Sequence, residues 1–353
     1  MKPTLKDIAN MAGVSVPTVS MVIHGKGRIT PETRQRVLEC AAEIGYPIHK
    51  LRQQSQKLRE NSTVAILFNI DPEWAFIWVF IRPLIQEIEQ NMREVGYSAV
   101  IVPITNKMGD DKIMDKIIDI GAKAVFAMHF GKPSLFMTLE QNNIPVVLVM
   151  NNDLQDKFHS ICADDFQGGY EATRYLIDLG HRRLAYVDTE RINLPRLLHD
   201  RHFGFRKALA EHDIPFSQKL NIHYHANDED RFHADLKALL VMENPPTALF
   251  CLDDELAAHV VFQLQRLGKS VPTDISLMAH GDVLDYEMAY VPQITTMRVN
   301  TAQMGKAATS MMLARITEGD DDVMVVKVRQ HIVDRGSCIS LVETLTSSRS
   351  ECS

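Results

Sequence analysis

The 353-residue sequence lacks the features that would assign it to several common classes of protein. It has five cysteines, an odd number, and no two of them have C-x-x-C spacing. Neither a disulfide framework nor a zinc site is therefore expected, which fits a reducing, cytoplasmic compartment. The first residues form no apolar signal region and no run of about 18 apolar residues occurs, so we expect neither export nor contact with a membrane.

Catalytic signatures are missing as well. The sequence contains no P-loop, no G-x-S-x-G turn and no G-x-G-x-x-G fingerprint. His223-x-His225 would place two imidazoles on one face of a strand, but no third ligand follows at a suitable spacing. We therefore predict that the protein is not an enzyme and uses neither a metal nor another cofactor.

Charge is distributed unevenly along the chain. Residues 1–60 contain 10 Lys and Arg against 5 Asp and Glu, a net charge of +5. Since the whole chain has a net charge of −7, the remainder carries −12. A basic segment joined to an acidic body is typical of a nucleic-acid-binding module fused to a part that does not touch nucleic acid.

The basic segment is predicted to form three short helices. Thr4 and Asp7 have the spacing of a capping box, and Gly13 ends the first helix. Ser15 caps the second helix, and Thr30-Pro31 begins the third with proline at its first position. This pattern indicates a helix-turn-helix, although a three-helix bundle without affinity for DNA shows similar spacing.

The second helix is the expected DNA-reading element. Ala9, Gly13 and Val19 have the spacing that lets two helices cross closely around a tight turn. The second helix would then lie in the major groove and present its outer side chains to the DNA. The predicted DNA contacts in this region are Thr4, Ser15, Val16, Pro17, Thr18, Ser20, Met21 and His24.

From residue 62 onwards, short apolar runs alternate with amphipathic helices. Runs without polar alternation are typical of parallel strands covered on both faces, and their number exceeds one ordinary sheet. We therefore predict an α/β body of two doubly wound parallel-sheet subdomains, with a ligand cleft at the carboxyl ends of the strands. The predicted domains are a helix-turn-helix head (1–48), a hinge or linker (49–61), a two-lobed body (62–340) and a flexible tail (341–353).

Several sequence runs resemble the lactose-repressor (LacI/GalR) family. The resemblance extends over essentially residues 2–340. The matching runs are Thr4-Leu5-Lys6-Asp7-Ile8-Ala9, Ala12-Gly13-Val14-Ser15, Thr18-Val19-Ser20, Gly45-Tyr46, Gly180-His181-Arg182-Arg183, Gly204-Phe205, Asp253-Asp254 and Val271-Pro272. The resemblance implies a periplasmic-binding-protein-like body and a homodimer that binds a palindromic double-stranded DNA operator, with an affinity that changes when a small effector enters the cleft.

Two parts of the DNA-binding region depart from the family pattern. Val16, Pro17 and Met21 are apolar where members often carry polar side chains, so base reading would depend on methyl contacts and DNA shape. In the linker, the position that matches the family's minor-groove leucine is Ser55, or Gln56 if one residue is inserted, and Leu58 lies out of register. The predicted linker contacts are Arg52, Ser55 and Leu58.

The effector site is predicted from the same resemblance. Arg201 matches the family arginine that grips the effector, and Asp253 matches a polar residue that bonds effector hydroxyls. Where members often have aspartate, this chain has Met150 and Gly281, with Asp282 next to the glycine. The predicted effector contacts are Trp74, Phe76, Trp78, Arg201, Asp253 and Asp282. These contacts favour a sugar or sugar derivative as the effector. The two missing aspartates argue against a standard hexose.

Two other functions remain open. The missing carboxylates also fit a DNA-binding regulator with a degenerate cleft, controlled by a partner protein or another signal. A solute-binding receptor for a transporter would share the two-lobed body, but it would need an export signal and would not need the basic head.

Overall fold

The structure is a computed structural model, and it describes residues 4–23, 29–44, 62–71, 78–189, 196–225, 228–318 and 322–342. Some of the sequence predictions fall outside these residues. They concern His24, the linker residues Arg52, Ser55 and Leu58, the aromatic residues Trp74 and Phe76, and the tail beyond residue 342. The side chains of Pro17, Ser20 and Met21 also lie outside the description.

The head contains the three predicted helices, α1 (Leu5–Ala12), α2 (Val16–Ile23) and α3 (Pro31–Glu43). Thr4 and Asp7 form the predicted capping box, and Gly13 ends α1 in the left-handed conformation, with φ of 64°. The Thr30 side chain accepts a hydrogen bond from the Thr33 amide, and Pro31 follows it in the first turn. These helix boundaries are therefore confirmed, and each has a local cause in the sequence.

A small apolar core joins the three head helices. Among the side chains that the structure describes, its buried members are Ile8, Ala9, Ala12, Val19, Val22, Val37 and Ala41. Ala9 and Val19, two residues of the predicted close crossing of α1 and α2, are among them. The head thus buries one face of each helix and leaves the opposite faces available.

The described residues of the body form two six-stranded sheets. The first, in lobe 1, comprises β1 (Thr63–Asn69), β2 (Ser98–Ile104), β3 (Ala122–Met128), β4 (Val146–Val149), β5 (Ser160–Ala163) and β11 (Val325–Val328). The second, in lobe 2, comprises β6 (Leu184–Thr189), β7 (Asn221–Tyr224), β8 (Ala248–Cys251), β9 (Ser276–His280), β10 (Thr295–Arg298) and β12 (His331–Val333).

Strand order shows that both sheets are doubly wound. The order is β11-β5-β4-β3-β1-β2 in lobe 1 and β12-β10-β9-β8-β6-β7 in lobe 2. All neighbouring strands are parallel except β10 and β12, which are antiparallel. The predicted fold class is confirmed, because apolar runs such as Val146–Val149 are indeed strands buried on both faces.

Helices cover both faces of the two sheets. They are α4 (Trp78–Glu94), α5 (Asp110–Asp119), α6 (Pro133–Gln141), α7 (Asp165–Asp178), α8 (Arg196–Glu211), α9 (Glu229–Leu240), α10 (Asp254–Arg266) and α11 (Thr301–Glu318), with a short 3-10 helix at Gln218–Leu220. The apolar side of α11 packs in the lobe 1 core through Met304, Ala308 and Met312, whereas α7 packs in the lobe 2 core through Ala172 and Leu176.

The chain passes between the lobes at three places. It leaves lobe 1 between β5 and α7, returns between β10 and α11, and leaves again between β11 and β12. Residues at these crossings lie at the carboxyl ends of strands of both sheets. Polar side chains from distant parts of the sequence can therefore meet there.

Three strands were not predicted from the sequence. They are β5, β10 and β12, which have four, four and three residues. All three are short and contain polar residues such as Ser160 in β5, so they lack the continuous apolar run that predicted the four-residue strand β4. The first turn of α7 was missed with β5, because the helix was predicted to start at Gly168 rather than at Asp165.

Glycines let α7 and α8 approach closely at the crossing into lobe 2. A Cβ atom at Gly204 would lie 2.1 Å from the carbonyl oxygen of Phe166, and one at Gly169 would lie 2.1 Å from that of Arg201. Backbone cannot move aside as a flexible side chain can. The two glycines therefore fix the relative position of the first turns of both helices.

Gly204→Ala is expected to lower the free energy of unfolding by about 3 kcal/mol or more, because the added methyl group forces two helix backbones apart. Urea denaturation followed by circular dichroism measures the change. Gly109→Ala is a matched control, since nothing lies within 4 Å of a Cβ there and the backbone φ is −66°. If both variants unfold at the same urea concentration, the close packing of α7 on α8 is incorrect.

Candidate functional site

The start of α2 presents part of the predicted DNA-reading surface. Val16 is 40% exposed, so its side chain is available for contact. The Ser15 hydroxyl accepts a hydrogen bond from the Thr18 amide at 3.3 Å and lies 2.8 Å from the Thr18 hydroxyl. The Thr4 hydroxyl donates to the Asp7 carboxylate at 2.7 Å. Both cap hydroxyls are thus engaged locally, and their DNA contacts stay predictions.

Arg201 is the centre of a buried polar cluster at the crossing between the lobes. Its Nε atom donates to Asp165 Oδ1 at 2.9 Å, and its Nη1 atom donates to the Leu252 carbonyl oxygen, also at 2.9 Å. The side chain of Arg201 is only 10% exposed and that of Asp165 is fully buried. Burial raises the pKa of Asp165, and the guanidinium opposes this shift.

Two further side chains complete the cluster. Gln330 Nε2 donates to Asp165 Oδ1 at 3.5 Å. His280 Nε2 lies 3.2 Å from the same oxygen, at an angle that makes no hydrogen bond. Burial, with help from the Arg201 charge, lowers the pKa of His280, so this imidazole is neutral at pH 7. The cluster therefore holds one buried ion pair surrounded by neutral groups.

Asp253 and Asp254 have different local roles. Asp253 Oδ1 accepts from the Leu256 amide at 2.7 Å, so Asp253 is the N-cap of α10 and its effector contact stays a prediction. Asp254 is fully buried and binds the loop that follows β9. Its Oδ2 atom accepts from the amides of Val283 and Leu284 and from the Tyr286 hydroxyl.

The position of Asp254 explains the glycine at 281. A Cβ atom at Gly281 would lie 2.9 Å from Asp254 Oδ1, and the backbone there has φ of 103°. An aspartate, common at this position in the family that the sequence resembles, would meet both a steric and a conformational penalty. Asp254 thus takes the space that a side chain at 281 would need. The Asp254 carboxylate binds the loop after β9 instead of serving as an effector contact.

Asp254 should make stability depend on pH. Burial raises its pKa to about 6, well above roughly 3.9 for an unfolded aspartate. The folded state therefore binds the proton more tightly than the unfolded state does. The stabilisation that the protonated Asp254 carboxyl provides is complete below about pH 4 and is lost as pH rises through 6. Relative to Asp254→Asn, the wild type should lose about 2 kcal/mol of unfolding free energy between pH 4 and pH 7.

Urea denaturation of both proteins at several pH values measures this difference. The amide introduced by Asp254→Asn keeps an acceptor for the loop amides but cannot ionise, so this variant is the matched reference at every pH. A wild type that gains stability relative to the variant as pH rises would show that the ionised form is the favoured one.

Asp282 and Trp78 lie at carboxyl ends of strands, as predicted. The Asp282 carboxylate accepts from Arg335 Nη2 at 2.6 Å and from Thr296 Oγ1 at 2.7 Å, and it also pairs with Arg298. Trp78 is 39% exposed and begins α4, with its ring 4.9 Å from that of Phe68. Contact of either residue with an effector stays a prediction, and Asp282 already has two arginine partners.

An open cavity of about 680 Å³ lies between the lobes next to the Arg201 cluster. Lobe 1 contributes Asn152, Asp153, Gln155, Asp156 and Lys327, and lobe 2 contributes Phe166 and Asp200. Asn152 Nδ2 donates to Asp200 Oδ2 across the gap at 3.4 Å. Polar groups and one aromatic ring therefore converge near the carboxyl ends of the strands, where the sequence predicts the ligand cleft.

Asp165, Phe166, His280 and Gln330 were not among the predicted site residues. Asp165 and Phe166 follow the unpredicted strand β5, and Gln330 precedes the unpredicted strand β12. Recognising Ser160–Ala163 as a strand would have marked Asp165 as a residue at a carboxyl end. His280 ends β9, and its proximity to Asp165 is a product of the tertiary fold.

Among the described residues, no group of three or more His, Cys, Asp or Glu side chains is arranged to hold a metal ion. Within the same part of the chain, every helix is too short or too polar to span a lipid bilayer.

Comparison with known proteins gives matches to both parts of the chain. Residues 4–47 match the family described as bacterial regulatory proteins, lacI family, and residues 173–338 match the periplasmic binding protein-like domain. The HTH-type transcriptional repressor PurR of Haemophilus influenzae is 29% identical over 330 residues, which cover 91% of this chain and 93% of that protein. The chain therefore has a head that matches the lacI family of bacterial regulatory proteins and a body that matches the periplasmic binding protein-like domain.

Solved structures of lacI-family proteins have the same fold. The complex of the transcriptional regulator CelR with cellobiose is 23% identical, covers 95% of this chain and 99% of that one, and superimposes with a TM-score of 0.65. The lac repressor dimer bound to operator and the anti-inducer ONPF is 18% identical, covers 96% and 100%, and has a TM-score of 0.62. The protein is thus a DNA-binding transcriptional regulator rather than an enzyme, as predicted.

Proposed function

We propose that the protein is a repressor that binds a palindromic operator as a homodimer in the cytoplasm. The observation that carries this proposal is the head, a three-helix unit matching the lacI family over residues 4–47, whose second helix exposes Val16 at its start. The repressor role is supported by relatives such as PurR of Haemophilus influenzae. The proposed division is a head at 1–48, a hinge at 49–61, a body at 62–340 and a tail at 341–353.

A small, carbohydrate-like effector in the interlobe cleft would control the operator affinity. The cavity of about 680 Å³ has the size of a small-molecule site and is lined by both lobes. A ligand that touches both lobes binds the closed form better than the open form, and this differential affinity shifts the equilibrium between them. Binding of cellobiose by CelR, which has the same fold, supports the carbohydrate class.

Selection from a pool of random double-stranded DNA tests the DNA-binding part. The full-length protein should enrich one sequence with two-fold symmetry, because two heads of a homodimer read two equivalent half-sites. Binding should weaken steeply with added salt. Recovery of DNA without any shared sequence would contradict operator recognition, and no recovery at low salt would contradict DNA binding itself.

A regulator without a small-molecule effector is the second candidate. It is favoured by the internal pairing of Arg201 with Asp165 and of Asp282 with Arg298 and Arg335. Groups engaged in this way offer little to a ligand, and a partner protein would then supply the signal. A thermal-shift screen separates the two, since a ligand at 100 times its Kd adds roughly 2.7 kcal/mol of stability.

A further inference from the structure

A second cavity lies at the opposite end of the lobe 2 sheet from the cleft. Its volume is about 210 Å³, and its lining includes Leu184, the first residue of β6, and Leu220, the residue before β7. The two strands are parallel neighbours, so these residues mark their amino ends, whereas the cleft lies at the carboxyl ends. The second cavity is therefore separate from the proposed effector site.

The walls of the second cavity are mostly apolar. They include Leu184, Phe205, Leu209, Ile214, Phe216 and Leu220. Five of these side chains belong to the buried core of lobe 2, and Phe216 packs against that core. Well-packed cores leave few voids, and an apolar cavity of about 150 Å³ is large enough to bind benzene. The second cavity therefore has room for one aromatic ring or a short hydrocarbon chain.

The polar part of the lining is cationic. It consists of Arg182, Arg183 and Ser217, and no described acidic residue lines the cavity. Arg182 is held at the end of α7, because its Nη1 atom donates to the carbonyl oxygens of Ile177 and His181 at 2.8 and 3.0 Å. Two guanidinium groups without a carboxylate beside apolar walls favour a ligand that joins a negative charge to an apolar body.

Arg183 has the free donor that such a ligand needs. It lines the cavity, and its Nε atom is buried without a hydrogen-bond partner among the described residues. A buried donor without an acceptor is costly, so an acceptor supplied by a ligand would be favoured there. The planar guanidinium suits the two oxygens of a carboxylate. Arg201 differs in this respect, because Asp165 already accepts from its Nε atom.

We propose that the second cavity binds a small amphiphilic anion, a carboxylate attached to a single aromatic ring or a short hydrocarbon chain. The apolar part fills the space between α8 and the amino ends of β6 and β7, and the carboxylate accepts hydrogen bonds from Arg183. This site goes beyond the proposed effector cleft and does not depend on it, so the two can be tested separately.

Four related probes test the proposal by thermal shift and calorimetry on the full-length protein. They are phenylacetate, 2-phenylethanol, 2-phenylethylamine and acetate, each at a concentration on the order of 10 mM. Phenylacetate should raise the melting temperature by a few degrees and bind about tenfold more tightly than 2-phenylethanol, because only the carboxylate gains a charge-assisted contact. The amine should bind more weakly than the alcohol, since two arginines repel it, and acetate should give no shift, since it has little apolar surface to bury.

Variants locate the binding site. Arg183→Gln should weaken binding of phenylacetate about tenfold and leave that of 2-phenylethanol unchanged, because only the contact with the charge is lost. Ser217→Leu adds apolar atoms to the lining and should weaken binding of both ring compounds; the Ser217 side chain makes no cap hydrogen bond that the change would remove. Lys327→Gln is the matched control and should change neither affinity, because Lys327 lines the interlobe cavity instead.

Several results would overturn the proposal. They are binding of the amine as tight as that of phenylacetate, equal shifts with acetate and phenylacetate, or no binding of any probe. Loss of phenylacetate binding in Lys327→Gln but not in Arg183→Gln would place the anion in the interlobe cavity and would also reject the second site. If Ser217→Leu does not fold, the comparison of Arg183→Gln with Lys327→Gln still decides. Operator selection by the same preparation tests the proposed regulator independently of these outcomes.

Discussion

Arg201→Ala is expected to lower the free energy of unfolding by about 3–5 kcal/mol and to abolish the response to effectors. The substitution leaves the fully buried Asp165 without the guanidinium that now donates to it at 2.9 Å. It also leaves the Leu252 carbonyl oxygen without its donor. An uncompensated buried charge is among the most destabilising changes known for a single substitution.

Urea denaturation followed by circular dichroism measures this loss, and Arg206→Ala is the control. Arg206 lies on the same helix but is exposed, with its guanidinium 4.8 Å from the Phe216 ring centre, so its removal should cost less than about 1 kcal/mol. Adding Asp165→Asn to Arg201→Ala should restore part of the stability, because the unpaired charge disappears. Strictly additive effects would show that the two side chains do not interact.

The second large effect is expected in the head. Val19→Asp should weaken DNA binding more than about 100-fold and leave the unfolding of the body unchanged, because a head that does not fold loses nearly all specific binding. Val19 is completely buried in the apolar core of the head. A carboxylate cannot remain ionised in such a core without a large cost in free energy, and a unit of this size has little stability to lose. The recognition helix would then not be held for docking.

Intrinsic fluorescence separates the two parts of the chain in this experiment. Both tryptophans, Trp74 and Trp78, belong to the body, so the fluorescence midpoint in urea should not change. Gln35→Glu adds the same charge at an exposed position of α3 and should retain most of the DNA affinity. If Val19→Asp bound DNA with wild-type affinity, either Val19 would not belong to the core of the head or the DNA would bind outside the head.

The sequence predicted the local features of the fold best. The caps at Thr4, Ser15 and Thr30 and the long apolar strands were all identified, because each is specified by residues that are neighbours in the chain. The short strands β5, β10 and β12 were missed because they contain polar residues and lack the continuous apolar run that marks the four-residue strand β4. Their existence depends on pairing with strands that are distant in sequence.

The site was less predictable, for the same physical reason. Arg201 was identified by resemblance, whereas its partner Asp165 lies 36 residues earlier and follows an unpredicted strand. His280 and Gln330 meet Asp165 only because three chain crossings bring both sheets to one edge. The distinction between Asp253 as a helix cap and Asp254 as a loop anchor also needs coordinates, since the sequence offers two adjacent aspartates.

Ligand binding in the cleft should change the affinity of the head for DNA. A fluorescence-anisotropy titration of the selected operator with the full-length protein, with and without a ligand that stabilises the body, measures this change. We expect a change in Kd of about 5- to 150-fold, the usual range of coupling between two sites, and loss of this change in Arg201→Ala. An operator Kd that is the same at saturating ligand as without it would show that the cleft does not control DNA binding.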